Sequence, residues 1–153
     1  GRMHEFIKAA YDYQDNTFHS HPGYYIDYFE MRLAQLQVLH NLHYEIKKIR
    51  KMPKQALVIA DYIMYMADYV VEMNIPDQQI EKLEEISEQM KQEELPKTRE
   101  EFEGRALLYH ILMDLEEFLV YKKRFVNGLD EKKLRIYWKQ EMEQKDSANE
   151  LQK

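Results

Sequence analysis

Residues 95–119 read LPKTREEFEGRALLYHILMDLEEFL, and this stretch decides the fold. Pro96 stops any helix arriving from the N-terminal side. Thr98 followed by Glu101 predicts a capping box, in which each side chain satisfies an orphan backbone N–H of the other. Phe102, Ala106, Tyr109 and Met113 then recur at helical spacing, with Leu108, Leu112, Leu115 and Leu119 beside them. Together these predict a long helix from Arg99 to about Val126, buried along a wide face and closed by Asn127-Gly128.

Outward from this segment, all four prolines fall at breaks. Pro22-Gly23, Pro53, Pro76, Pro96 and Gly128 divide the chain into six pieces, each of helical length. The first, 3–18, sets Phe6, Ile7, Ala10, Tyr13 and Phe18 in an amphipathic pattern. The second, 24–52, aligns Tyr25, Phe29, Leu33, Leu36, Leu39, Leu42 and Ile46, with Lys47, Lys48, Arg50, Lys51 and Lys54 at its C-terminal end, where cations complement the helix dipole. The third, 54–73, is apolar on two faces, which predicts a central helix. The fourth, 77–93, has only a narrow stripe (Ile80, Leu83, Ile86, Ser87, Met90) and belongs at the edge. A sixth helix starts at Asp130, uses Leu134, Tyr137, Trp138 and Met142, and gives way to a frayed polar tail. The expectation is an all-α bundle of about five core helices, residues 1–128, with a C-terminal helical extension over 129–153.

Composition narrows the function. The 153 residues suit one domain, and with 44% apolar and 33% charged residues the chain is globular. Cysteine is absent, which excludes disulfides and thiolate metal sites. Residues 77–103 hold ten acids against four bases, which equals the whole net charge of −6. A nucleic-acid binder would carry a basic excess, so nucleic acid is not an expected partner. The longest apolar run, from Ala56, is broken by Asp61, Asp68 and Glu72, too soon for a membrane span. Gly1 ahead of Arg2-Met3 reads as a cloning remnant with no signal peptide after it.

Several constellations could carry chemistry. His40 and His43 lie three apart and His19 and His21 two apart, but no histidine follows a glutamate by three, so the bundle di-iron signature is missing and no metal or cofactor is expected. Glu100-x-x-Glu103 and Asp114-x-x-Glu117 are acidic pairs of the kind by which all-α nucleotide pyrophosphohydrolases hold Mg²⁺. They equally suit solvated helix faces, and Glu100 and Glu101 are explained by the helix start. No catalytic residue is expected. Tyr24-Tyr25-x-x-Tyr28-Phe29 with Arg32 one turn on could hold an aromatic carboxylate or pack a helix start against the core.

Two motifs carry a family resemblance. Pro-x-Tyr-Tyr-x-x-Tyr-Phe-x-Met-Arg is read at Pro22, Tyr24, Tyr25, Tyr28, Phe29, Met31 and Arg32. Leu-Pro-x-Thr-Arg-Glu-Glu-Phe-Glu-x-Arg-Ala is read at Leu95, Pro96, Thr98–Phe102, Glu103, Arg105 and Ala106. Over residues 4–126 the chain resembles the C-terminal domain of the aromatic acid exporter family of Gram-positive bacteria. It departs at Gly104 and His110, and in the extension after Gly128. The resemblance implies a soluble, non-enzymatic piece of a membrane protein, lying on the cytoplasmic side of the cell membrane and acting in assembly, gating or ligand sensing. The partners implied are the parent's transmembrane domain, a second copy of the chain, and an aromatic carboxylate at Tyr24, Tyr25, Tyr28, Arg32 and Arg105. A Mg²⁺-dependent pyrophosphohydrolase and a pure protein-interaction bundle are the alternatives.

Overall fold

The computed structural model describes residues 1–5, 7–8, 22–49, 52–129, 138 and 150–151. The first and sixth expected helices therefore fall largely outside the described residues, as do His19 and His21. Four helices organise the rest: α1 (Pro22–Lys48), α2 (Pro53–Ala67), α3 (Asp77–Lys91) and α4 (Arg99–Asn127). No strand occurs among the described residues. The fold is all-α, as the punctuation predicts.

The principal packing is α1 against α4, and the two run antiparallel. Tyr24 meets Phe125 at one end, Gln35 reaches Phe118 in the middle, and Glu45 meets His110 towards the other end. The facing residues keep a spacing of three and four. On α1 they are Tyr24, Tyr28, Met31, Gln35, Val38, Leu42 and Glu45, with Ile49 just beyond its end; on α4 they are Gly104, Leu108, Ile111, Leu115, Phe118, Lys122 and Phe125. That is the period with which two helices keep one seam in contact.

This seam corrects two expected faces. Of the expected α1 stripe, Tyr25 and Leu42 are buried, while Leu33, Leu36 and Leu39 are exposed and Tyr24, Met31 and Val38 take their place in the core. On α4, Phe102, Ala106 and Met113 face solvent, while Leu108, Ile111, Leu112, Leu115, Phe118 and Leu119 are buried. Both helices are apolar over more than one stripe, so periodicity offered two faces and packing selected one.

The central helix is α4, not α2. α4 packs against both α1 and α3, while α2 buries Ile59, Tyr62 and Met66 and leaves Leu57, Val58 and Met64 exposed. α3 lies at the edge as expected, burying Leu83 and Met90 with Ile80, Ile86 and Ser87 half-buried. α2 also ends earlier than its pattern, at Ala67. The chain after it turns back, and the carbonyls of Val71 and Glu72 accept from the Lys122 ammonium of α4 rather than from a further helical turn. At the junction of α2 and α3, the Tyr62 hydroxyl donates to the buried Gln79 carbonyl at 2.8 Å.

The start of α4 follows the predicted chemistry with one change. The Glu101 N–H donates to Thr98 Oγ1 at 3.1 Å, but the Glu101 carboxylate accepts from the N–H of Lys97, not of Thr98.

Candidate functional site

Two places gather the expected binding residues, and they lie at opposite ends of the α1–α4 pair. At the first, the N-terminal turn of α1 seats Tyr24 and Tyr25 in a small aromatic core with Met31, Phe125, Val126 and Trp138. Tyr24 and Tyr28 stack with centroids 6.4 Å apart, and Phe125 sits against both. The Tyr24 hydroxyl donates to Glu72 at 2.7 Å and accepts from the Trp138 indole at 3.0 Å. Burial, together with the neighbouring Glu72 carboxylate, raises the Tyr24 phenol well above its ordinary range, so it remains a donor. Trp138 is only 2% exposed, so at that residue the segment beyond Gly128 is joined to the bundle.

Arg32 stands one turn along, its guanidinium 5.2 Å from the centre of the Tyr28 ring. It donates to the Tyr28 hydroxyl at 3.1 Å and to the Gln35 side chain at 2.8 Å, and Gln35 in turn donates to the Phe118 carbonyl at 2.8 Å. Behind it lies Lys122, buried and ringed by Tyr28, Phe125 and Trp138 at 5.7–6.0 Å. Burial, with Arg32 close by, pulls the Lys122 ammonium down to about 7, against the opposing pull of Glu72. The open space between Arg32, Gln35, Gln79 and Lys122 is about 10 Å³. That is room for about one water and far below the several hundred Å³ of an organic-ligand pocket.

The second place is a groove of about 990 Å³ where the start of α4 meets the end of α1 and the loop 93–98. Arg105 lines it and pairs with Glu93 at 3.5 Å, not with its own-helix neighbours Glu101 or Glu103; Glu103 pairs with Arg99. Gly104 lies here too. A Cβ on it would stand 2.5 Å from the Met52 sulfur, so the glycine makes room for Met52. Arg105 and Phe125 are twenty residues apart on one helix, about 30 Å. The structure therefore separates Arg105 from Tyr24, Tyr25, Tyr28 and Arg32, and one small carboxylate cannot touch both groups.

The acidic pairs do not converge. Glu100 and Glu103 are exposed and lie about 16–25 Å along α4 from Asp114 and Glu117. Glu117 accepts from the Tyr121 hydroxyl at 3.1 Å. Asp114 turns inward to Glu45 of α1, and burial together with Asp114 holds the Glu45 carboxyl above the usual carboxylate range. His40 and His43 are exposed against Tyr44.

Lys122, Gln35, Glu45 and Glu72 escaped the sequence reading. Three of them had a signal: Gln35, Glu45 and Lys122 occupy seam positions, where a polar residue needs a partner. Glu72 had none.

Comparison with known proteins agrees with the motifs. The family description "Putative aromatic acid exporter C-terminal domain" matches residues 1–123. "Uncharacterized protein YqjA" of Bacillus subtilis (strain 168) is 29% identical over 121 residues, which is 79% of this chain but 38% of that protein. No solved structure matches. Among the described residues, no helix is long and apolar enough to cross a membrane. With the family's pattern covering most of its length, the chain belongs to the aromatic acid exporter C-terminal domain family.

Proposed function

We propose that this chain is the non-enzymatic cytoplasmic domain of a membrane-embedded aromatic acid exporter, and that it works by contact, in assembling or gating the transport domain. The family match carries the reading. Two features support contact over chemistry. The two acidic pairs lie too far apart to hold one hard cation. α2 presents Leu57, Ala60, Met64 and Ala67 on an exposed stripe of three-and-four spacing, the kind of face a partner covers. The test uses the full-length parent carrying Leu57→Lys and Met64→Lys. The isolated domain should keep its melting temperature, because both side chains face solvent, while assembly or aromatic acid efflux by the parent falls. Unchanged assembly and efflux would sink the contact reading, and Mg²⁺-dependent release of pyrophosphate from a nucleoside triphosphate would replace it with the hydrolase one.

A second reading has the domain sensing its cargo at Tyr24, Tyr25, Tyr28 and Arg32, with Arg105 a separate anion contact. The half-buried guanidinium stacked on Tyr28 favours it, since an aromatic acid offers one flat ring and one carboxylate. The small space beside Arg32 requires such a ligand to bind on the solvent side of the guanidinium. Hydroxybenzoate titration followed by amide shifts decides it: saturable shifts over 24–32 that vanish in Arg32→Ala support sensing, and their absence at millimolar ligand ends it.

A further inference from the structure

Between Val38 and Ile49 the α1–α4 seam is apolar except where Glu45 enters it. There, Asp114 approaches from α4, with His110 one turn before it on the same face. His110 Nε2 lies 2.9 Å from one Glu45 oxygen. The other Glu45 oxygen and one Asp114 oxygen are buried and have no hydrogen-bond partner among the described residues. Two carboxylates facing each other across a helix seam, each with a buried oxygen lacking a donor, cost far more than the apolar pair that could stand there. The chemistry that fits is a positive centre between them.

We propose that Glu45, His110 and Asp114 form a binding site for a divalent transition-metal ion of the zinc or manganese class, which clips α1 to α4. One donor atom from each residue lies within 4.8 Å of the others. Ligand atoms around a small tetrahedral cation stand roughly 3.4 Å apart, so modest side-chain rotations close the set. An imidazole with two carboxylates favours a borderline ion over Mg²⁺ or Ca²⁺, which take oxygen alone. His110 is 56% exposed, so the ion enters from solvent and its remaining positions face water. The two helices bring the ligands together as they pack, and the ion holds them there. A proton shared by the carboxylates, or a His110–Glu45 ion pair, is the competing way to neutralise the cluster.

The test titrates Zn²⁺ into metal-stripped full chain near neutral pH by calorimetry, with Mg²⁺ in excess throughout. The expected result is one saturable site, retained when His40 and His43 are both changed to alanine. It weakens by at least roughly tenfold in His110→Ala and in Asp114→Asn, since even residues outside the ligand shell cost that much. His110 is a surface residue, so His110→Ala should leave the fold intact, and its result stands even if Asp114→Asn fails to fold. Thermal melting gives a second readout: Zn²⁺ raises the midpoint of the wild type and of the His40/His43 variant, but not of His110→Ala. No saturable binding at millimolar Zn²⁺, binding untouched by His110→Ala, or displacement of Zn²⁺ by Mg²⁺ would each overturn the assignment.

Discussion

Lys122 shows how one residue can carry opposing demands. Its ammonium reaches two carbonyls and three aromatic faces, which favour the charge, while burial and Arg32 oppose it and bring it down to about 7. The unfolded chain keeps its lysine protons to about pH 10.4, so between about pH 7 and 10 the unfolded state binds more protons and stability rises with pH. Tyr24 and Tyr62, both raised by burial, reverse that trend above about pH 10, so the clean window is about 7 to 9. Denaturant melts at those two pH values should show a gain on the order of 1–2 kcal/mol that Lys122→Met abolishes. An equal gain in both proteins would refute the assignment. Tyr62→Phe is a simpler case. It removes one hydrogen bond to the buried Gln79 carbonyl, which keeps its place in the α3 helix ladder, and equilibrium unfolding should show a loss of about 0.5–1.5 kcal/mol.

At the scale of elements, termini were legible where their chemistry is local and misread where it is not. Thr98 caps α4 through its own hydroxyl, and Pro22, Pro53, Pro76 and Pro96 mark the breaks between helices. α2 stops at Ala67, where tighter turn bonds from Tyr69 and Val70 replace the helix ladder, and the carbonyls of Val71 and Glu72 are met by Lys122, over fifty residues on. Gly128 closes α4 with φ of −75°, so no left-handed backbone demands glycine there. Gly104 is different. Glycine inside a helix costs about 1 kcal/mol relative to alanine, yet here its bare Cα admits Met52. Gly104→Ala should therefore fail to stabilise the wild type but add about 1 kcal/mol in a Met52→Ala background. Additive effects in that double-mutant cycle would deny the contact.

Across the whole molecule, the antiparallel α1–α4 pair is the spine, and α3 braces α4 from the other side. Amide exchange should therefore be slowest over Leu108–Leu119, whose side chains alternate between the two interfaces, and faster over Ile59–Met66, where α2 turns half its apolar surface outward. Slower exchange in α2 would return it to the centre. The acidic segment 77–103 needs no partner to explain it: apart from Gln79 and the apolar stripe, α3 is a solvated edge helix.

By itself the sequence determined the all-α class, the places where helices break, the cap at Thr98 and the family, because each rests on residues close together in the chain. It also put Tyr24, Tyr25, Tyr28 and Arg32 together, being one helix turn apart. Only the tertiary structure decided which apolar stripe of α1 and α4 is core, that α4 and not α2 is central, and that Arg105 stands about 30 Å from Phe125, against which Tyr24 packs. It alone brought Glu45 to His110 and Asp114, and Lys122 to the end of α2. A stripe's periodicity states that a helix has a face to bury; which face is buried depends on the side chains of neighbouring helices, which are distant in the chain.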